Sequence, residues 1–186
     1  MPHLIYLTNI SLDGYIEDAS GRFDWSVPDP TLHQFFNDLT RPVGTFLYGR
    51  RLYETMAVWE TDPDLAAGDP VTEEFAALWQ AADKVVYSTT LDGPRTARTR
   101  VERTFEPDAV RELKASTTRD LAIGGADLAA KALRAGLVDE VQLVVHPVIV
   151  GGGKPALPDG VRADLELLDE RRFTGGHVYL RYAVRR

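Results

Sequence analysis

Apolar residues along the chain fall into short β-branched runs and into stripes with helical spacing, and the two kinds alternate. Residues 3–10, HLIYLTNI, are apolar and β-branched and predict a first strand. Residues 11–25, SLDGYIEDASGRFDW, carry Gly14 and Gly21 and read as a long loop. In DPTLHQFFNDL, Leu32, Phe35, Phe36 and Leu39 recur at i, i+3, i+4 and i+7, which predicts a helix with one buried face. Asp29 suits its N-cap and Pro30 its first turn. VGTFLY (43–48) predicts a second strand, and residues 50–59 a second helix with Leu52, Met56 and Trp59 on one side. An acidic loop with Pro63 and Pro70 leads to a third helix near 72–82. KVVYS (84–88) predicts a third strand, TARTRVER (96–103) a fourth, and EPDAVRELKAS another helix. DLAI (120–123) is a short strand, followed by a helix in GGADLAAKALRAG that ends at Gly136. DEVQLVVHPVIV (139–150) predicts a long strand, GGGKPALPDG a flexible turn, and HVYLRYAV (177–184) a final antiparallel strand.

This order predicts an α/β fold in three layers: a mostly parallel central sheet, an antiparallel C-terminal edge strand and helices on both faces. It contains no repeat and no linker long enough to divide the chain, so a single domain over 1–186 is expected. In a parallel sheet the carboxyl ends of the strands share one edge, where ligands bind. Strand 43–48 runs into Gly49-Arg50-Arg51 and a helix start. Strand 84–88 ends in Ser88-Thr89-Thr90, and strand 120–123 in Gly124-Gly125 and another helix start. Two helix N-termini, a glycine pair, three hydroxyls and two guanidinium groups suit a dinucleotide with several phosphates. Hydroxyls with no adjacent carboxylate after strand 84–88 lean toward NADPH over NADH. The competing reading of the arginines is structural: Arg50 pairs with Glu54 one turn on, and Arg51 points into water.

Composition narrows the partners. A net charge of −7 argues against broad nucleic-acid or anionic-membrane binding, so any anion must meet a local cationic patch. No apolar run approaches membrane-spanning length, and the first residues read as a strand and not as a signal peptide. The chain has no cysteine, which excludes disulfides and thiolate chemistry and fits a cytoplasmic protein. Its four histidines show no metal-ligand spacing, so no metal is expected, and there is no nucleophile elbow.

The segments SLDGYI, YGRRLYET, KVVYSTT, IGGADLAAKAL and DEVQLVVHPVIVGGGKPAL, in this order, resemble the dihydrofolate reductase superfamily over nearly the whole chain. The closest resemblance is to the branch that contains the reductase domain of bacterial riboflavin biosynthesis. The resemblance implies that Asn9 meets the nicotinamide amide and that Asp13, Gly14 and Ile16 belong to a loop closing over the nicotinamide. It implies that Gly49, Arg50 and Arg51 hold the pyrophosphate and the adenosine phosphate, with Ser88 and Thr89 on the adenosine side. Gly124, Gly125, Ala126 and Asp127 then offer backbone at the pyrophosphate, with Leu128 alongside. It also implies a homodimer built with the strand and glycine-rich turn around Pro147.

The implied activity is NADPH-dependent hydride transfer to a C=N or C=O carbon in a small heterocyclic or sugar-linked substrate. The likeness extends to 5-amino-6-(5-phosphoribosylamino)uracil reductase, although the zinc ligands of an attached deaminase are absent from this chain. Dihydrofolate reductases anchor the pterin with an acid on their first helix, and the matching positions here, Thr31 and Leu32, are not acidic. A non-catalytic NADPH- or ligand-binding module is the alternative, and folate reduction requires Asp29 to enter the site instead of capping its helix. Asp13 is the candidate catalytic residue, with loop capping as its other reading. His33 is placed to reach a substrate, and Trp25 and Tyr53 to wall it, or each is core. His146, before Pro147, reads as structural or interfacial.

Overall fold

The structure, a computed structural model, describes residues 2–185. Eight strands form the central sheet. They are β1 (Leu4–Ser11), β3 (Val43–Gly49), β4 (Asp83–Tyr87), β5 (Thr99–Glu102), β6 (Asp120–Gly124), β7 (Glu140–His146), β9 (Leu165–Arg172) and β10 (Val178–Val184). The order is β5-β4-β3-β6-β1-β7-β10-β9, parallel from β5 to β7 and antiparallel at the β10–β9 end. A separate two-stranded ribbon joins β2 (Tyr15–Asp18) to β8 (Gly153–Pro155).

Successive side chains on a strand face opposite sides of the sheet. Leu4, Tyr6, Leu47, Leu121 and Ile123 pack on one side with Val110 of α6 (Pro107–Ser116) and Leu128, Ala129 and Ala132 of α7 (Ala126–Arg134). On the other, Phe46, Tyr48 and Val86 pack with Tyr53 of α2 (Arg50–Met56) and Trp79 of α5 (Pro70–Ala81). Farther along that face, Val144 and Tyr179 pack with Leu32 of α1 (Pro30–Thr40). The three-layer arrangement is the expected one, with an antiparallel end made of two strands. No helix among the described residues is long and apolar enough to cross a membrane.

Several boundaries differ from expectation for identifiable reasons. The loop 11–25 contains β2, which finds a partner in β8, and a 3₁₀ turn at Asp24–Ser26. That pairing also organises part of the glycine-rich turn, and Gly153 permits it: a Cβ there would stand 1.9 Å from the Glu17 carbonyl oxygen. The strand expected over 139–150 stops at His146, because Pro147 has no N–H for the ladder. The 50–59 helix divides at Ala57 into α2 and α3 (Val58–Thr61). Within the acidic loop, Asp62 caps a short α4 (Pro63–Ala66). Helix α5 starts earlier than expected, behind a reciprocal cap between Asp69 and Thr72. The strand expected over 96–103 is confined to Thr99–Glu102. Strand β9 was not expected at all, since every position of LELLDERR is exposed and no face alternates.

Candidate functional site

The carboxyl ends of β1, β3, β4, β6 and β7 form the expected common edge. At β3, Gly49 is the N-cap of α2 and offers no side chain to cap it. Arg50 donates through Nε to Glu54 Oε1 at 3.0 Å, as the structural reading requires, and through Nη1 to Thr90 Oγ1 at 2.8 Å. Arg51 does not merely point into water. Its guanidinium donates to Glu17 Oε1 and to the Gly21 carbonyl, both at 3.0 Å, and ties the start of α2 to β2 and the turn after it.

At β4, the buried Ser88 Oγ accepts from the amides of Thr90 and Leu91, which folds the chain back on itself. Ser88 and the exposed Thr89 line a cavity of about 660 Å³ together with Tyr87, Arg103, Thr104, Phe105, Glu106 and Lys131. Arg103 is fixed there by donating to the carbonyls of Ser88 (3.0 Å) and Leu91 (2.8 Å). Sequence reasoning missed Arg103 and Lys131 at this place. Arg103 was discoverable, because it directly follows the fourth parallel strand at the same edge.

At β6, Gly124 is needed for packing: a Cβ would lie 2.4 Å from Leu52 Cδ2 of α2. Gly125 has φ +89° and nothing within 4 Å of a Cβ position, so it presents open backbone at the N-terminus of α7. Ala126 and Leu128 are buried behind it. Asp127 is exposed, pairs with Lys154, and lines a second cavity of about 810 Å³ with Glu17, Asp18, Lys131 and Arg134.

The other half of the edge lies at β1 and β7. Asn9 Oδ1 and His146 Nε2 are 2.8 Å apart. Asp13 accepts from the amides of Val150 and Gly151 and ties the first loop to the segment after β7. Partial desolvation works against its charge, but hydrogen bonds from Ser11 and these amides hold its carboxyl below the usual value. Gly14 turns this loop at φ +90° and leads into Ile16 on β2. Trp25 sits edge-on to His146 at 5.4 Å between ring centroids, and His177 edge-on to His146 at 4.6 Å. Burial, and then the His177 ring, push the His146 imidazole down to about 4, with the Trp25 backbone opposing the shift. Among the described residues, Trp25 Nε1, His146 Nδ1, His177 Nδ1 and Tyr179 Oη are buried without a hydrogen-bond partner.

The remaining candidates lie elsewhere or serve local structure. His33 stands between Trp59 of α3 and Phe75 of α5, and burial lowers its pKa. Tyr53 is fully buried, and its hydroxyl accepts from the amides of Arg95 and Thr96. Asp29 Oδ1 accepts from the Leu32 amide at 2.8 Å, so this carboxylate caps α1. Folate reduction therefore lacks the acid it would require from the first helix.

Comparison with known proteins adds the following. Residues 2–179 match the family described as the RibD C-terminal domain. The uncharacterized protein YyaP of Bacillus subtilis (strain 168) is 32% identical over 176 residues, covering 93% of this chain and 90% of that protein. A Shewanella sp. PV-4 protein whose name links it to riboflavin biosynthesis superposes with a TM-score of 0.78 at 22% identity, over 99% of both chains. A pyrimidine reductase-like protein from Corynebacterium diphtheriae superposes at 0.66 and 15% identity, over 100% of this chain and 92% of the other. The Thermotoga maritima diaminohydroxyphosphoribosylaminopyrimidine deaminase/5-amino-6-(5-phosphoribosylamino)uracil reductase superposes at 0.66 and 16% identity. There the match spans 99% of this chain but 57% of the larger one.

Proposed function

Because the chain belongs to the RibD C-terminal domain family, we propose that it is an NADPH-dependent reductase of a small heterocyclic or sugar-linked substrate, with residues 1–186 acting as one domain and paired in a homodimer. The observation that carries the reading is the cavity at the ends of β4 and β5, where Ser88 and Thr89 meet Arg103 and Lys131 beside Arg50. Hydroxyls and two cations against the single carboxylate of Glu106 suit a ribose carrying a phosphate. Arg103 is already held by two carbonyls, so little side-chain freedom is lost when it meets an anion. The open backbone of Gly125 and the first turn of α7 suit the pyrophosphate.

In this reading Arg50, Arg103 and Lys131 take the adenosine phosphate, while Arg51 braces the β2 turn through Glu17 and Gly21. Asn9 and the loop held by Asp13 flank the reacting end, where they orient the substrate and exclude water. NADPH, when bound, supplies the hydride. The second reading, cofactor binding without turnover, draws support from Asp29 acting as a helix cap.

The test is a fluorescence titration with NADPH and NADH of the wild type and of Arg50→Ala and Lys131→Ala. NADPH is expected to bind more tightly than NADH, with a loss of roughly tenfold (about 1.4 kcal/mol) in each variant. Failure of both cofactors to bind refutes the reading. Binding without turnover of any acceptor favours the non-catalytic module.

A further inference from the structure

The β2–β8 ribbon reaches the starts of both α2 and α7. Glu17 and Lys154 are register partners on it. Glu17 accepts from Arg51 in the first turn of α2, and Lys154 pairs with Asp127 in the first turn of α7. Gly153, at φ +146° and without room for a Cβ against the backbone of Glu17 and Asp18, lets β8 close on β2 and carries Lys154 to this place.

Lys154 and Asp127 line the cavity of about 810 Å³, whose other charged walls are Glu17, Asp18, Lys131 and Arg134. Ala126, next to the open backbone of Gly125, lines it too. Lys131 also lines the cavity at the ends of β4 and β5, so the two cavities share a wall on α7.

The carboxylates of the larger cavity are not equivalent. Glu17 is taken by Arg51, and Asp18 by the amides of Ser20 and Arg22 and by the Arg22 guanidinium. The Asp127 side chain is 81% exposed, and the Lys154 side chain paired with it 33%. An ion pair so open to water contributes little, because solvent screens it and two side chains must be ordered to make it. The ribbon has firmer ties. The Ala156 amide donates to the Gly14 carbonyl, the Tyr6 hydroxyl donates to the Ala156 carbonyl, and Asp13 accepts from the amides of Val150 and Gly151. Lys154 is therefore not required to hold the ribbon. Its ammonium has three donors and is a compact charge, so it can exchange a solvated carboxylate for a doubly charged anion at small cost.

We propose that Lys154 is a further cofactor-binding residue, which meets the pyrophosphate from the ribbon side, and that Asp127 is the partner it gives up. This rests on the cofactor reading above and adds to it a cation from outside the central sheet. Pyrophosphate is common to NADPH and NADH, so Lys154 strengthens both alike. In this it differs from Arg50, Arg103 and Lys131, which favour the cofactor with the extra phosphate. Asp127 competes with the cofactor for Lys154, so the two members of one ion pair have opposite effects on binding.

The test is a fluorescence titration of the full chain with NADPH and with NADH, for the wild type, Lys154→Gln, Lys154→Arg and Asp127→Asn. Adenosine 2′-phosphate, which has no pyrophosphate, is titrated by calorimetry as the control. Lys154→Gln is expected to weaken NADPH and NADH about tenfold each, Lys154→Arg to restore most of that affinity, and Asp127→Asn to tighten both about threefold. Adenosine 2′-phosphate is expected to bind Lys154→Gln as it binds the wild type. Unchanged cofactor affinity in Lys154→Gln, a loss confined to NADPH, or a matching loss of adenosine 2′-phosphate overturns the assignment. So do equal losses in Lys154→Gln and Asp127→Asn, the result a purely structural pair would give. Should Lys154→Gln not fold, Asp127→Asn, which breaks the same pair and keeps Lys154, decides the question: tighter cofactor binding supports the assignment and any other result overturns it. If the wild type binds NADPH in that case, the reductase reading survives. If it binds neither cofactor, both fall.

Discussion

Replacing His146 with phenylalanine should remove a specific acid sensitivity from the fold. The imidazole is lowered from 6.5 to about 4 by burial and by His177, so the unfolded chain takes up this proton first as the pH falls. The stability contributed by keeping His146 neutral is therefore complete above about pH 6.5 and is lost progressively toward pH 4. A gap of roughly 2.5 pH units at about 1.4 kcal/mol each gives about 3 kcal/mol in total, of which about 2 kcal/mol has gone by pH 5. Urea unfolding near pH 7.5 and near pH 5 measures this directly. The wild type should lose about 2 kcal/mol more between the two conditions than His146→Phe, whatever the variant's stability at neutral pH. Constant costs, such as the lost bond to Asn9, cancel in the comparison. So do groups that titrate in both proteins away from His146, His33 among them, and repeating the pair in a His177→Phe background removes the one ring coupled to it. The carboxyls of Glu74 and Glu140, held down to about 2, protonate below this window. Equal pH dependence in the two proteins would refute the reasoning.

Two other perturbations test the scaffold. Tyr53→Phe removes the acceptor for two backbone amides at Arg95 and Thr96 and should destabilise the fold by about 2–3 kcal/mol in urea unfolding; an unchanged midpoint would mean that water replaces the hydroxyl. The homodimer is expected at the segment around Pro147, where Ile149 is exposed, so light scattering should give twice the monomer mass for the wild type and the monomer mass for Ile149→Lys; a monomeric wild type would end the homodimer proposal.

How far the sequence revealed this arrangement depended on burial. The runs at 43–48, 84–88 and 120–123 are apolar because both sheet faces are covered, and they were legible to within a residue or two. LELLDERR was not, because a strand exposed on both faces has no pattern to show. The N-cap role of Asp29 could be read from Asp-Pro before a helical stripe. The Arg51–Glu17 contact could not, since it joins residues 34 apart across a turn. The cationic wall of the adenosine-side cavity was half visible: Arg103 follows a recognised strand, whereas Lys131 reaches the cavity only through the packing of α7. His146 and His177 meet because β7 and β10 pair antiparallel, and no local spacing encodes that register.

The position of β1 has a consequence for how the chain assembles. Its two partners are β6 and β7, and the His3 amide reaches Asp120 Oδ1 across 117 positions of sequence. During synthesis β1 must remain without a native partner until β6 has been made, while β3 and β4 are free to join much sooner. Closing a parallel seam across so long a span is slow, and it leaves an apolar strand exposed to misassembly in the interval. The refolding rate should therefore respond more to substitutions along the β1–β6 seam than to equally destabilising ones in the β3–β4 pair. Asn9 and His146 join β1 to its other neighbour, β7, so the same reasoning predicts that their contact forms after the β3–β4 pair.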